Sequence, residues 1–193
     1  MRDIDIRRAL RVEMRAAHEN DPNTLILEEM GLCQGLARVD VAVINGTVHG
    51  YEIKSEFDTL ARLPGQTHTY NRVFDFVTIV TAKNHEAKIS TSVPKWWGIS
   101  IAVQSKGGVE IRVRRRARRN NAVDPFSIAQ LLWREEALEA LDRLGLADGI
   151  RSKRRDALWL RLAESVPLAD LSEIVRKAVK GRPRVARESP QQL

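Results

Sequence analysis

The chain has 193 residues, 43% hydrophobic and 30% charged, with a formal net charge of +7 and a pI near 10. That length supports one domain with a core of its own, and no run approaches the ~18 apolar residues of a membrane span. One cysteine, Cys33, excludes an internal disulfide and a cysteine metal cluster, and the surplus of positive charge points to nucleic acid or another polyanion as partner.

The polar start, Met1-Arg-Asp-Ile-Asp-Ile-Arg-Arg, is unlike a secretory signal, so a cytoplasmic protein is expected. Ile6, Leu10, Met14 and Ala17 form one stripe of a helix over about 4–17, ended by Asp21-Pro22-Asn23. Residues 24–30 fit either a strand or a short helix, and 31–36 read as a loop. From Arg38 to Lys54 the pattern is a β-hairpin turning at Asn45-Gly46. Val39, Val41 and Val43 alternate with Arg38, Asp40 and Ala42, while Tyr51 and Ile53 share one face of the second strand and Glu52 and Lys54 the other.

Charges inside β-branched strands are costly unless something holds them. They mark a site or a buried ion pair. A two-residue turn would put Asp40 and Glu52 on opposite faces. A three-residue loop, Ile44-Asn45-Gly46 with Gly46 left-handed, would pair Val43 with Thr47 and Asp40 with Gly50. The two carboxylates would then lie on one face a diagonal step apart, roughly 7–8 Å.

Beyond the hairpin, Asp58 is a candidate helix N-cap, and Pro64 suits the first turn of a helix reaching about Phe74. Residues 76–81 have the composition of a buried strand. Strand, helix, strand in that order makes a crossover unit, hence a mixed sheet with helices on its faces. Residues 96–103 and 109–113 form a second hairpin around Lys106-Gly107-Gly108. Asp124-Pro125 opens an amphipathic helix capped by Gly145, followed by helices over about 152–164 and 167–180. The organisation expected is an α/β core over 1–120, a helical extension over 121–181 and a loose tail over 182–193.

Asp40, Glu52 and Lys54 together resemble the D…E-x-K signature of the PD-(D/E)xK nuclease superfamily, with Val39 in the usual proline slot. Gln66 and Tyr70, four apart on one helix face, resemble the Q-x-x-x-Y element of that superfamily's exonuclease branch. The run from Ala37 through Glu-Ile-Lys and Leu-Pro-Gly-Gln to Phe74-Asp75 is similar to a small family of uncharacterised bacterial and phage proteins placed in the same superfamily. More weakly, the similarity continues through Trp96-Trp97-Gly98 and the last helices.

The resemblance implies a restriction-endonuclease-like core and hydrolysis of DNA phosphodiester bonds with Mg²⁺ or Mn²⁺. Its implied metal ligands are Asp40, Glu52, the Ile53 carbonyl and one further acid, for which Glu29 is the choice, Glu28 the close alternative and Glu13 a distant one. Lys54 would orient or deprotonate the attacking water. Gln66 and Tyr70 would touch substrate phosphate or orient Lys54; a polar helix face with Tyr70 half-buried accounts for them almost as well. Asp40 with Lys54 could instead be an ordinary ion pair, but Glu52 would then lack a partner.

Arg38 could line the cleft. Arg112 to Arg119 holds six arginines in eight residues, and Arg114, Arg115 and Arg116 are candidate phosphate contacts; a solvated strand end is the competing explanation. Trp96, Trp97, Trp133 and Trp159 read as core. A DNA-binding or assembly module of the same fold is the rival to a nuclease, and RNA is a further possible substrate.

Overall fold

The computed structural model describes residues 1–183. Its elements in chain order are α1 (Asp3–His18), β1 (Leu25–Leu32), β2 (Ala37–Ile44), β3 (Val48–Lys54), α2 (Leu63–Val73), β4 (Phe76–Ala82), α3 (Glu86–Ser92), β5 (Gly98–Ser105), β6 (Gly108–Arg115), α4 (Pro125–Ala129), α5 (Arg134–Arg143), α6 (Arg155–Ser165) and α7 (Leu168–Gly181). The strands form one open sheet in the order β1-β2-β3-β4-β5-β6. β3–β4 and β4–β5 are parallel; the other three pairs are antiparallel. A mixed sheet flanked by helices is therefore what the chain forms.

The sheet has two covered faces. On one, Ile6, Leu10 and Met14 of α1 lie over Val41, Val43, Ile53 and Val80. Spacing of four places them on one helical stripe, and Asp5 accepts the Arg2 N–H at the helix start (3.0 Å). On the other face, α2 and the C-terminal helices share a core with the sheet: Tyr70, Phe74, Leu131, Trp159 and Val175 belong with Leu27, Val39 and Ile44. The helical region after residue 120 thus buries its apolar stripe against the sheet layer. Gly50 lets the end of α2 approach, since a Cβ there would stand 2.7 Å from the Phe74 ring.

Several local expectations change. Asp58 caps no helix; its carboxylate accepts from the Ser55 N–H and hydroxyl (2.6 Å each) and closes the turn after β3, while α2 begins at Leu63. The segment left open between strand and helix is strand β1, which runs on through Leu32 into the expected loop, and 33–35 form a tight 3-10 turn. The helix expected from Asp124 to Leu144 is two helices, because Glu136 accepts the Trp133 N–H (2.7 Å) and restarts the helix there. Asp124 does cap the first of them through the Ser127 N–H (2.9 Å). Trp97 and Trp159 are buried, whereas Trp96 and Trp133 are only partly so. Arg182, expected in a loose tail, is bonded to Glu136 (2.6 Å) and the Leu131 carbonyl (2.6 Å). The rest of that tail, 184–193, lies outside the described residues.

Candidate functional site

The first hairpin has the odd-length loop that a shared carboxylate site requires. Ile44 faces Val48 and Val41 faces Tyr51, leaving Asn45-Gly46-Thr47 as the loop. The register sits two residues from the expected one: Val43 pairs with His49, not Thr47. Gly46 is not left-handed either. The Asn45 side chain makes the turn by accepting the Thr47 N–H (3.1 Å).

One more step of that register would set Asp40 opposite Glu52, but pairing stops at Val41–Tyr51. Beyond it β2 and β3 part, and Asp40 Oδ2 accepts the Ile53 N–H at 2.7 Å, a side chain standing in for the ladder. β3 keeps its course because β4 pairs with it through Lys54.

Glu52 and Lys54 lie at the bottom of this opening, 2% and 4% exposed, so every polar atom needs a protein partner. They have them. Glu52 Oε1 accepts from Lys54 Nζ (2.6 Å) and Gln66 Nε2 (2.7 Å), and Oε2 accepts from the Tyr70 hydroxyl (2.5 Å). Lys54 also donates to Gln66 Oε1 (3.2 Å). Tyr70 is fully buried, its hydroxyl 2.9 Å from the Arg38 carbonyl. Burial, then the charge of Glu52, pushes the phenol well above its ordinary range, so it remains a donor. Tyr70 is thus core and site at once, not half-buried.

Asp40 faces the other way for its charge partner. Its Oδ1 accepts from Arg7 of α1 (2.8 Å), and Arg7 also reaches the Asp40 carbonyl (3.3 Å). Burial, with the nearby negative charge of Glu52, raises the Asp40 carboxyl to about 6, against the pull of the Ile53 N–H and Arg7. The two carboxylates therefore interact even though their bonds run to opposite sides of the sheet.

Glu29 occupies the gap in the β1–β2 register across from Asp40, with a left-handed backbone (φ 54°) unusual for a non-glycine residue. It does not join Glu52. Its carboxylate is held by Arg7 (2.9 Å) and Arg38 (2.6 Å), which is why the expected ligand role is not what the geometry gives it. Glu28 pairs with Arg11, and Glu13 on α1 lies beside the Ile111 backbone of β6. Among the described residues no group of three or more His, Cys, Asp or Glu side chains could hold a metal ion. The donor chemistry nonetheless fits Mg²⁺, which is commonly bound through one or two carboxylates with water and substrate phosphate completing the shell. Asp40 and Glu52 are two hard-oxygen groups whose mutual repulsion a cation would relieve.

Residues 6–188 match the sequence profile of the family described as Bacteriophage P4 protein cII. The chain belongs to that family. It is 29% identical over 157 residues to Protein cII of Enterobacteria phage P4, covering 81% of the chain and 59% of that relative. The chain thus spans about three-fifths of the length of the curated relative it matches. Among solved structures, a protein of unknown function from Silicibacter pomeroyi, SPO1766, aligns with 78% of the chain and 90% of its own at 19% identity and a TM-score of 0.42, too low to inform fold or function.

In this cII-family chain the arginine run divides by role. Arg115 is structural: it donates to the carbonyls of Trp97 (2.8 Å) and Pro94 (3.0 Å), tying β6 to the segment before β5. Arg114 pairs with Glu86 (3.0 Å), and Arg116 is exposed. All three stand on or just past β6, the sheet edge three strands from β3, so they do not line the opening. Arg38 does, its side chain 66% exposed. The residue that sequence reading missed is Arg7; nothing in its helical context distinguishes it from neighbouring Arg8.

Proposed function

We propose that this cII-family protein is a metal-dependent nuclease with a restriction-endonuclease-like core, hydrolysing DNA phosphodiester bonds in repair or mobile-element processes. One observation carries the reading: Glu52 and Lys54, both buried, are held by Gln66 and Tyr70 at the point where β2 and β3 part around Asp40. An ion pair serving stability alone gains little from burial and needs no third charge.

A bound Mg²⁺ or Mn²⁺ would neutralise phosphate charge and acidify a ligated water. Asp40 and Glu52 would hold it, with the Ile53 carbonyl a further oxygen donor. Gln66 and Tyr70 fix the Glu52 carboxylate, and Glu52 with Gln66 fixes the Lys54 ammonium, so Lys54 can orient the attacking water without rotamer search.

The test is purified protein with Mg²⁺ or Mn²⁺ on labelled single-stranded, duplex and branched DNA, and on RNA. Lys54→Ala and Asp40→Asn each lower cleavage at least ~100-fold. Survival of cleavage in either variant overturns the assignment. Burial and the charge of Glu52 raise the Asp40 carboxyl to about 6 before metal binds, so the apparent affinity for Mg²⁺ falls about tenfold per pH unit below that value.

A second reading, a DNA-binding or assembly module without turnover, is favoured by Arg7, which already supplies the counter-charge to Asp40 and Glu29. DNA binding with no metal-dependent cleavage of any substrate selects it.

A further inference from the structure

Among the described residues the two most exposed large apolar side chains are Leu36 and Phe57, each 76% exposed. Leu36 immediately precedes β2, and Phe57 lies three residues beyond β3. Because β2 and β3 are antiparallel, both positions leave the sheet at the open end of the hairpin, opposite the Asn45-Gly46-Thr47 loop. Asp40, Glu52 and Lys54 occupy that same end.

Both side chains are presented on braced backbone. The turn carrying Phe57 is closed by Asp58 on Ser55 (2.6 Å), its Glu56 carbonyl accepts from Asn84 (3.1 Å), and its Glu56 carboxylate pairs with the Met1 amino group (2.7 Å). Leu36 follows three consecutive left-handed residues, Cys33, Gln34 and Gly35 (φ 47°, 58° and 89°), with Gln34 tied to Arg155 (2.8 Å). Single exposed apolar residues are ordinary on protein surfaces. Here two of them leave the sheet on the two strands that part around Asp40, each at the end of a pinned turn.

We infer that Leu36 and Phe57 are a specificity element that takes unpaired nucleobases, so that the strand entering the site is single-stranded or frayed. Arg38, between Leu36 and Asp40 and 66% exposed, supplies the cation for the adjoining phosphate by exchanging its exposed ion pair with Glu29 (2.6 Å), in keeping with the net charge of +7. An aromatic face stacks on any base once that base has left its duplex, whereas paired bases offer no free face to a flanking side chain. The inference rests on the nuclease reading for its substrate.

The experiment measures binding of labelled single-stranded and blunt duplex DNA by anisotropy, with Ca²⁺ replacing Mg²⁺, alongside cleavage in Mg²⁺. Phe57→Ala lowers single-strand affinity about tenfold and leaves duplex affinity within twofold, while Phe57→Trp retains both. Leu36→Ala acts in the same direction. If Phe57→Ala binds and cleaves every substrate as the parent does, the inference falls and the nuclease reading stands. If no variant or parent cleaves but the single-strand loss is seen, the nuclease reading falls and the base contact stands. Equal losses on both substrates, or a parent dimer that Phe57→Ala dissociates, overturn the inference.

Discussion

The molecule contains two β-hairpins whose sequences look alike and whose charges mean different things. In the first, Glu52 and Lys54 alternate with Tyr51 and Ile53; in the second, Glu110, Arg112 and Arg114 alternate with Ile111 and Val113. The side chains of Glu52 and Lys54 are 3% and 5% exposed, those of Glu110 and Arg112 51% and 68%. β3 is internal and carries α2 above its charged face; β6 ends the sheet. Alternation reports that a strand has two faces. Which neighbour covers the charged face decides whether the charges need a complete set of partners, and a complete set is what makes the first hairpin a candidate site.

Removing one charge from each hairpin should separate them most sharply. Glu52→Ala leaves the Lys54 ammonium buried without its counter-charge, with only the Arg38 carbonyl left to accept from the Tyr70 hydroxyl, at a cost of about 3–5 kcal/mol. Arg112→Ala on β6 should leave the urea midpoint where it was, because its partner Glu110 is solvated. Equal midpoint shifts in the two variants would erase the distinction.

Titration gives the next effect. Burial holds His49 at about 4, and its ring bonds Thr78 (2.9 Å) and stacks on Tyr51 (4.1 Å between centroids). Below its unfolded value near 6.5 the unfolded chain takes a proton that the folded chain refuses. Stability therefore falls as pH drops from about 6.5 to 4, by up to ~3 kcal/mol. Asp40 has the opposite sign. With a folded value of about 6 against 3.8, the folded chain holds the extra proton, so its contribution falls as pH rises through that window. In the parent the two slopes largely offset each other. His49→Gln should leave a stability that declines from pH 4 to 6, and Asp40→Asn one that rises; denaturant midpoints across that range read both.

The turns differ as well. Gly108 stands at φ 122°, which side-chain-bearing residues rarely adopt, so Gly108→Ala should cost about 1–3 kcal/mol. Gly46 has open space at its Cβ position and no positive φ, and Gly46→Ala should shift the thermal midpoint by about a degree or less, under ~0.5 kcal/mol.

These cases show what could be read from the chain. Alternation and turn residues placed β2, β3, β5 and β6, a helical stripe placed α1, Pro64 marked α2, and a continuous β-branched run marked β4, which is buried on both faces; each of these signals is local. α3 escaped notice: seven residues with Ile89 alone fully buried carry no periodic signal. The break at Trp133 escaped because Glu136 capping it looks the same in sequence as a surface acid. At the site the odd loop length was legible, but not the two-residue register shift or the parting of β2 and β3: Asn45, rather than a left-handed Gly46, makes the turn, and Asp40 bonds Arg7 of α1 while Glu52 bonds Gln66 and Tyr70 of α2. Glu29 was a reasonable acid by position. Its pairing with Arg7 joins helix α1 to strand β1 across 22 residues of sequence, a contact that no spacing encodes.

The smallest effect concerns the arginines of the second hairpin, and it tests whether a basic run acts as one unit. If β6 and the segment after it grip phosphates, Arg116→Ala should lower affinity on every DNA sequence alike. It should also reduce the slope of log affinity against log salt by about one, a change of roughly fourfold between 50 and 200 mM. Arg115→Ala should behave differently, since its guanidinium is spent on the carbonyls of Pro94 and Trp97. Stability falls there as two buried-side acceptors lose their donor, while the salt slope stays put. A salt slope that responds to Arg115 and Arg116 equally would mean that the run contributes charge alone. A slope that responds to neither, with binding intact, would move the phosphate contacts to the first hairpin and Arg38.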